Sequence, residues 1–146
     1  LEFRRVLFRS FLPLFKKGET KFQPIYVNDL SLMIFNLIKN FDYYKNQNIP
    51  AVGQDVFTFK EILSHIFHSL EKKERFINIP SFFAILQGKL MEKLPKPLFT
   101  YDQYETLSHH SIDENGATKV TKIIKKDLSN MKLVTAQYLK KFIDRV

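Results

Sequence analysis

Apolar residues recur at helical spacing most regularly in the middle of the chain. Thr58 and Glu61 stand three positions apart, the capping-box spacing in which each side chain accepts a hydrogen bond from the other residue's backbone amide. The pattern behind them predicts a helix from Thr58 to Leu70, with Thr58 as its structural cap. One face of this helix is apolar: Phe59, Ile62, Leu63, Ile66, Phe67 and Leu70.

The stretch QPIYVNDL joins a β-favouring segment directly to a second helical pattern. Phe22 to Val27 has the β-branched and aromatic content that is typical of a strand. Asp29 is predicted to be the structural cap of the next helix, because its carboxylate can accept from the free amides of a first turn. That helix carries one apolar stripe, formed by Leu30, Met33, Ile34, Leu37 and Ile38.

A third strand-to-helix unit follows. The segment RFINIP predicts a short strand that ends at Pro80, and the pattern after it predicts a helix over 81–95 that is stopped by proline. Thr100 and Gln103 repeat the capping-box spacing, which predicts a short helix to Leu107.

The remainder of the chain is polar and then amphipathic. Ser108 to Lys119 contains Asn115-Gly116 and is predicted to be an exposed loop. Val134 to Val146 is predicted to be a terminal amphipathic helix. Together these elements predict an α/β chain, mostly helical with a few short strands.

The composition of the chain limits the classes of protein to which it can belong. A chain of 146 residues with 45% hydrophobic and 26% charged residues is typical of one folded domain. No apolar run approaches the roughly 18 residues expected of a membrane-spanning helix. The chain contains no cysteine, which excludes disulfides, thiolate nucleophiles and cysteine-based zinc sites.

The first ten residues, LEFRRVLFRS, need separate treatment. Their last four, LFRS, are what the common sequencing-adapter end CTCTTCCGATCT encodes, so residues 1–10 are interpreted as an assembly scar. The alternative is a short basic amphipathic strand or targeting piece. We therefore divide the chain into 1–10, a folded part over 11–112, and a loop with the terminal helix over 113–146.

Candidate binding chemistry is weak. His65 and His68 stand at helical spacing, but no third ligand is placed beside them, so they and His109-His110 are interpreted as surface histidines and no metal is expected. Basic residues near the end could attract nucleic acid or an anionic membrane, although a solvated face is favoured and no nucleic acid is expected. The basic residues are Lys119, Lys122, Lys125, Lys126, Lys132, Lys140, Lys141 and Arg145.

Catalytic motifs are absent from the sequence. The glycines Gly18, Gly53, Gly88 and Gly116 lie too far apart to form a phosphate-binding loop. No tyrosine is followed four positions later by lysine, and no G-x-S-x-G occurs. No catalytic, cofactor-binding or metal-binding residue is therefore assigned, and no activity is expected of this chain on its own.

Three blocks in fixed order nevertheless resemble the C-terminal part of the atypical extended short-chain dehydrogenase/reductase family. They are PLFKKGETKFQPIYVNDLSLMIF, VGQDVFTFKEIL and FINIPSFFAILQGKLMEKLPKPLFTYDQYETL. The match covers Phe11 to Ile112. It is similar above all to the branch containing the dehydrogenase-like accessory subunit of respiratory complex I and its bacterial relatives.

The resemblance implies a fragment comprising the substrate lobe and sheet edge of a Rossmann-type protein. NAD or NADP would bind mainly to a missing N-terminal half, because the family's glycine-rich loop and Tyr-x-x-x-Lys pair are not in this chain. The family pattern would place Gln23, Pro24, Tyr26 and Val27 at the rim of a substrate pocket. Alternatively, Gln23 and Tyr26 are ordinary residues of a strand at the edge of the core.

The resemblance also implies partners and a location. Respiratory complex subunits would be partners, on the mitochondrial matrix side or in a bacterial cytoplasm, with peripheral membrane contact. The function implied is that of a cofactor-binding accessory or assembly protein of the complex I type, or of an oxidoreductase related to sugar nucleotides or quinones. The alternative function is a non-catalytic basic helical module that binds a protein complex or an anionic membrane surface.

Overall fold

The computed structural model describes residues 12–80 and 105–143. Its strands are β1 (Leu12–Phe15), β2 (Lys21–Phe22), β3 (Phe57–Thr58) and β4 (Phe76–Ile79). Its helices are α1 (Val27–Lys39), α2 (Phe41–Tyr44), α3 (Phe59–Ser69), α4 (Gly116–Ile124) and α5 (Met131–Ile143). β1 pairs with β4, and β2 pairs with β3. The described part is therefore α/β, with short strands and more helix than strand.

The chain divides into two compact units, each built from separate stretches of sequence. The described residues of the first unit are 12–21, 58–80 and 105–110. Those of the second are 22–57 and 111–143.

A parallel pair of strands organises the first unit. β1 and β4 run parallel, with Leu12 opposite Phe76 and Phe15 opposite Ile79. Leu14 is buried beneath them, and the rings of Phe67 and Phe76 meet edge to face at 5.8 Å. Helix α3 thus contributes an aromatic residue to the packing of β4, as expected for a helix covering a sheet.

The turn after β1 has an uncommon backbone. Lys16, Lys17 and Gly18 form a 3-10 turn in which all three φ angles are positive, at 46°, 57° and 73°. Gly18 suits this conformation, and a Cβ there would also come within 2.9 Å of the Cβ of Lys60. The turn lets the chain leave β1 and approach the start of α3 closely.

The second unit is built on the contact between α1 and α4. Met33 on α1 is buried against α4, and the surrounding core is completed by Val120, Ile123, Ile124 and Leu128. The Asn36 side chain adds a hydrogen bond between the two helices, in which its Nδ2 donates to the carbonyl oxygen of Ile123 at 3.0 Å. The inner face of α1 is therefore held by both packing and a hydrogen bond.

Two predicted elements are confirmed and one differs at its start. Helix α3 and strand β4 lie where the sequence predicted them. The terminal helix also exists, although it begins at Met131, three residues before the predicted start.

The predicted strand over Phe22 to Val27 was wrong in length. β2 ends at Phe22, and α1 begins at Val27 because the carbonyl of Tyr26 already accepts the first helical hydrogen bond, from the amide of Leu30 at 3.0 Å. Pro24 has no backbone N–H to give to a ladder. The residues between β2 and α1 are extended but make only isolated backbone hydrogen bonds.

The predicted loop over Ser108 to Lys119 was wrong from Gly116 onward, where α4 begins. Val120, Ile123 and Ile124 have helical spacing, but the helix is short and its exposed face is rich in lysine. Asn115 is the N-cap residue of α4, and Gly116 is the first residue of the helix. This helix supplies three of the five buried apolar side chains that form the core of the second unit.

The predictions for residues 1–10, for the helix over 81–95 and for the Thr100 cap lie outside the described residues. Within residues 12–80 and 105–143, every helix is too short or too polar to cross a bilayer.

Replacing Met33 by alanine is expected to lower the free energy of unfolding by about 3 kcal/mol, because a buried side chain is removed and a cavity remains. Urea unfolding followed by circular dichroism measures the change. Leu133→Ala is the matched control, since Leu133 is 67% exposed and should tolerate truncation. Equal losses in the two variants would contradict the assigned core.

Candidate functional site

Gln23 connects three segments of the second unit. Its side-chain Nε2 donates to the carbonyl of Gly53 at 2.9 Å, and its Oε1 accepts from the amide of Asp113 at 3.0 Å. Its backbone amide donates to the carbonyl of Ser111, and its carbonyl accepts from the amide of Gly53. Both polar atoms of this buried side chain therefore have a hydrogen-bond partner within the protein, as buried polar groups generally do.

The segment containing Gln23 also lies unusually close to Gly53. A Cβ built on Gly53 would overlap the carbonyl group of Pro24. Glycine at position 53 thus allows the two backbones to come near enough for both hydrogen bonds between Gln23 and Gly53 to form.

The remaining residues predicted for a pocket rim lie in different surroundings. Pro24 is half-buried beside Gly53. Tyr26 is half-buried, and its hydroxyl accepts from Nδ2 of Asn28 at 3.0 Å. Val27 is 62% exposed at the first position of α1. The four residues run from Gln23, which is buried, to Val27, which is exposed as the first residue of α1, and their role at a pocket rim stays a prediction.

Asp29 is not the cap of α1, which corrects the sequence prediction. The N-cap position is Tyr26, which makes no side-chain capping bond, and Asp29 lies inside the first turn. Its carboxylate is fully buried and turned toward the segment after α4. There Oδ2 accepts from the backbone amide of Ser129 at 2.7 Å, and Oδ1 pairs with Nζ of Lys126 at 2.9 Å.

The partners of Asp29 determine its charge state. Burial of the carboxylate by itself would raise the pKa of Asp29. The hydrogen bond from Lys126 and those from the amide and hydroxyl of Ser129 outweigh burial and hold this pKa below its ordinary value of 3.8. Asp29 is therefore ionised at neutral pH, and its charge is compensated by Lys126 and by its position in the positive first turn of α1.

The Asp29 lock, defined as Asp29 with Lys126 and Ser129, was missed by sequence reasoning. The residues that it joins are as much as 100 positions apart. No local pattern connects Asp29 with its partners, and the lysine looked like one of many basic surface residues. The same holds for the contacts of Gln23 with Gly53 and Asp113.

Thr58 does occupy the capping position that the spacing predicted. Its Oγ1 accepts from the amide of Glu61, and the Glu61 carboxylate accepts from the amide of Thr58 at 2.7 Å. The two residues form a complete capping box at the start of α3. Their role is local and structural.

The histidines make contacts that suit a surface role. Nε2 of His109 lies 3.3 Å from a carboxylate oxygen of Glu105, one helical turn away. Nδ1 of His110 accepts from the backbone amide of Lys21 at 2.9 Å. Among residues 12–80 and 105–143, no three histidine or acidic side chains converge as a metal site would require.

The glycines in the described part of the chain do not fit a dinucleotide site. A nicotinamide dinucleotide needs closely spaced glycines between a strand and a helix, with free amides directed at the pyrophosphate. Gly116 begins α4, but a Cβ there would overlap the side chain of Val52, and Asp113 and Glu114 precede the helix. Carboxylates at that position repel phosphate, so no step of cofactor chemistry is assigned to these residues.

Most of the basic residues of α4 face solvent. Lys119, Lys122 and Lys125 are exposed, whereas Lys126 pairs with the buried Asp29. The ammonium group of Lys132 lies 5.8 Å from the ring centre of Phe57. The side chain of Lys126 is 50% exposed, so this lysine of the predicted basic face reaches the buried carboxylate from the surface.

Asp29→Asn is expected to lower the free energy of unfolding by about 2 kcal/mol, because a neutral amide loses the charge-assisted bonds to Lys126 and Ser129. Urea unfolding at pH 7 measures the difference. Asp42→Asn is the control: Asp42 also pairs with a lysine, but its side chain is 93% exposed. A similar stability for Asp29→Asn and the parent protein would contradict the Asp29 lock.

The pH dependence follows from the lowered pKa of Asp29. A carboxyl group whose pKa is lower in the folded state contributes stability above its unfolded value, and this contribution disappears as pH falls through the folded value. The stability advantage over Asp29→Asn should therefore be complete above about pH 5 and shrink progressively below pH 4. Unfolding curves of both proteins between pH 7 and pH 2 test this. An advantage independent of pH would contradict ionic stabilisation.

No family model matches this chain, but comparison with curated proteins finds a distant relative. The chain is 29% identical to NADH dehydrogenase (ubiquinone) 1 alpha subcomplex subunit 9, mitochondrial, from Arabidopsis thaliana, over 119 residues that cover 75% of this chain. The same alignment covers 30% of the plant protein, so this chain spans less than a third of its relative's length. The chain is thus a distant relative of that mitochondrial protein along most of its own sequence.

Proposed function

We propose that this chain is part of an accessory subunit of a respiratory NADH dehydrogenase of the complex I type. The observation that carries the proposal is the similarity to the plant subunit over 75% of this chain. The blocks that resemble extended short-chain dehydrogenases support the same relationship, because they were recognised from residues alone. The subunits of that complex are the proposed partners, at the mitochondrial matrix side or in a bacterial cytoplasm.

The proposed role is structural and cofactor-binding, with no catalytic residue assigned in this chain. The segment QPIYVNDL belongs to one of the blocks that resemble the dehydrogenase family, and here Gln23 and Asp29 hold parts of the second unit together. Their buried side chains are engaged by backbone groups and by Lys126. This use of the block supports a role in which a stable shape matters more than turnover.

NAD or NADP is proposed to bind the longer parent protein, outside the residues described here. Of the four proposed pocket-rim residues, Tyr26 and Val27 are the better placed, because one is half-buried and the other exposed at the start of α1. Pro24 would shape the backbone next to them. Gln23 would act indirectly, by fixing that backbone to Gly53 and Asp113.

The alternative function is a basic module that binds an anionic surface or complex. The exposed side chains of Lys119, Lys122 and Lys125 favour it, since they concentrate positive charge along and just after one short helix. Attraction of this kind is strongly reduced by salt. The pairing of Lys126 with Asp29 removes one positive charge from the surface available to such a partner.

Native electrophoresis of membranes from cells that express the tagged full-length protein tests the proposal. The tag is expected to migrate with NADH dehydrogenase activity and to remain with it after washing at about 1 M salt, where charge attraction is screened beyond about 3 Å. Purified full-length protein should also change the fluorescence of added NADPH or NADH.

The matched variants are Lys119→Glu with Lys122→Glu, against Lys39→Glu with Lys45→Glu. The accessory-subunit proposal expects comigration in both pairs. Loss of binding only in the first pair, together with release by salt, would favour the basic module. A tag that never migrates with the dehydrogenase activity would overturn the proposal.

A further inference from the structure

Helix α1 is apolar on two opposite sides. Its inner face packs on α4 through Met33, with Leu30 and Leu37 half-buried beside it. Five large apolar side chains project away from that core, and we call them the outer stripe. They are Val27, Ile34, Phe35, Ile38 and Phe41, which are 62%, 46%, 61%, 70% and 66% exposed.

The spacing makes the outer stripe a continuous surface. Val27, Ile34 and Ile38 follow one another at intervals of seven and four residues, which places them along one side of α1. Phe41, which is also exposed, begins α2 two residues after α1 ends at Lys39. Phe35 extends the stripe sideways. Ser31, also exposed, fills the remaining position, so the stripe carries no charge. Contiguous exposed apolar surface of this kind marks a contact with another element.

A helix that is apolar on both sides belongs between two layers of protein. Helices that lie on a membrane have a strongly charged face opposite the apolar one. On α1 the opposite face is instead buried against α4 and contains the locked Asp29. The stripe therefore suits an apolar protein surface better than a lipid surface.

Two observations favour a surface of the same longer chain. The present chain covers 30% of its plant relative, so more than two thirds of such a protein lies elsewhere. In the described residues, β1 and β4 form a two-stranded parallel pair, whereas parallel strands ordinarily belong to larger sheets covered on both faces. The partial coverage of the relative and the short parallel pair among the described residues of the first unit both favour a longer parent chain.

We propose that the outer stripe of α1 is the surface on which the rest of the full-length protein packs. This inference rests on the proposed function to the extent that both require a longer parent. It goes further by assigning a particular face of one helix to an intramolecular interface. The face is made by Val27, Ile34, Phe35 and Ile38 of α1, with Phe41 at the start of α2, and its occupant is an apolar surface of the missing part.

The absence of cysteine from this chain allows a direct test by thiol labelling. Ile38→Cys places a thiol in the outer stripe, and Lys39→Cys places one on the next, exposed position as the control. Each variant is made in this chain and in the full-length protein recovered from the source transcript, with other cysteines replaced by serine. The rate of reaction with a maleimide is measured without lipid or other proteins.

Both thiols are expected to react rapidly in this chain. In the full-length protein, the thiol at position 38 should react at least about tenfold more slowly, whereas the thiol at position 39 keeps its rate, because a packed site reacts only through local opening. Ile34→Cys provides a second position in the stripe if Ile38→Cys perturbs folding. Circular dichroism of each variant verifies folding.

Several results would overturn the inference. Equal rates at position 38 in both proteins would show that the rest of the chain does not cover the stripe. Protection that appears only with vesicles of phosphatidylglycerol and phosphatidylcholine would assign it to a membrane, and protection only in the assembled complex would assign it to another subunit. Protection of position 38 that grows with the concentration of this chain would show that the outer stripe binds a second copy. A transcript that encodes no further protein sequence would show that there is no missing part to cover the stripe.

The same full-length protein separates this inference from the proposed function. Protection at position 38 without migration with NADH dehydrogenase activity would keep the interface and remove the respiratory role. Migration with NADH dehydrogenase activity but without protection at position 38 would keep the respiratory role and remove the interface.

Discussion

The buried carboxylate of Asp29 is the constraint on which the second unit depends. A charge without water must find partners inside the protein, and Asp29 finds them in the ammonium group of Lys126 and the amide of Ser129. These bonds fix the first turn of α1 against the segment that follows α4. The apolar contacts of Met33 with Val120 and Ile123 give the two helices their attraction, and the lock determines their register.

Gln23 performs a parallel task a short distance earlier in the chain. Its side chain and backbone form hydrogen bonds with Gly53, Ser111 and Asp113, which tie the segment before α1 to two other parts of the second unit. Together, Gln23 and Asp29 fix both ends of QPIYVND. Both side chains are buried and polar, so this segment depends on contacts with residues that are remote in sequence.

The parts of the structure that the sequence predicted are those decided by near neighbours. Thr58 and Glu61 satisfy each other within one turn, and the strand before Pro80 is defined by its own composition. The function of Asp29 was misassigned because a carboxylate near a helix start usually serves as a cap, and its actual partners are remote in sequence. Helix α4 was missed because Asn115-Gly116 is a common turn signal, whereas here tertiary packing of Val120 and Ile124 favours a helix.

The long separation within the Asp29 lock has a consequence for biosynthesis. Asp29 leaves the ribosome well before Ser129 exists, and the bond between them spans 100 residues. At about 5–20 residues per second, the ribosome needs on the order of 5–20 seconds to make that interval. During this time α1 has neither its buried charge partner nor the apolar face of α4. The nascent chain must therefore be protected from aggregation until its C-terminal part emerges.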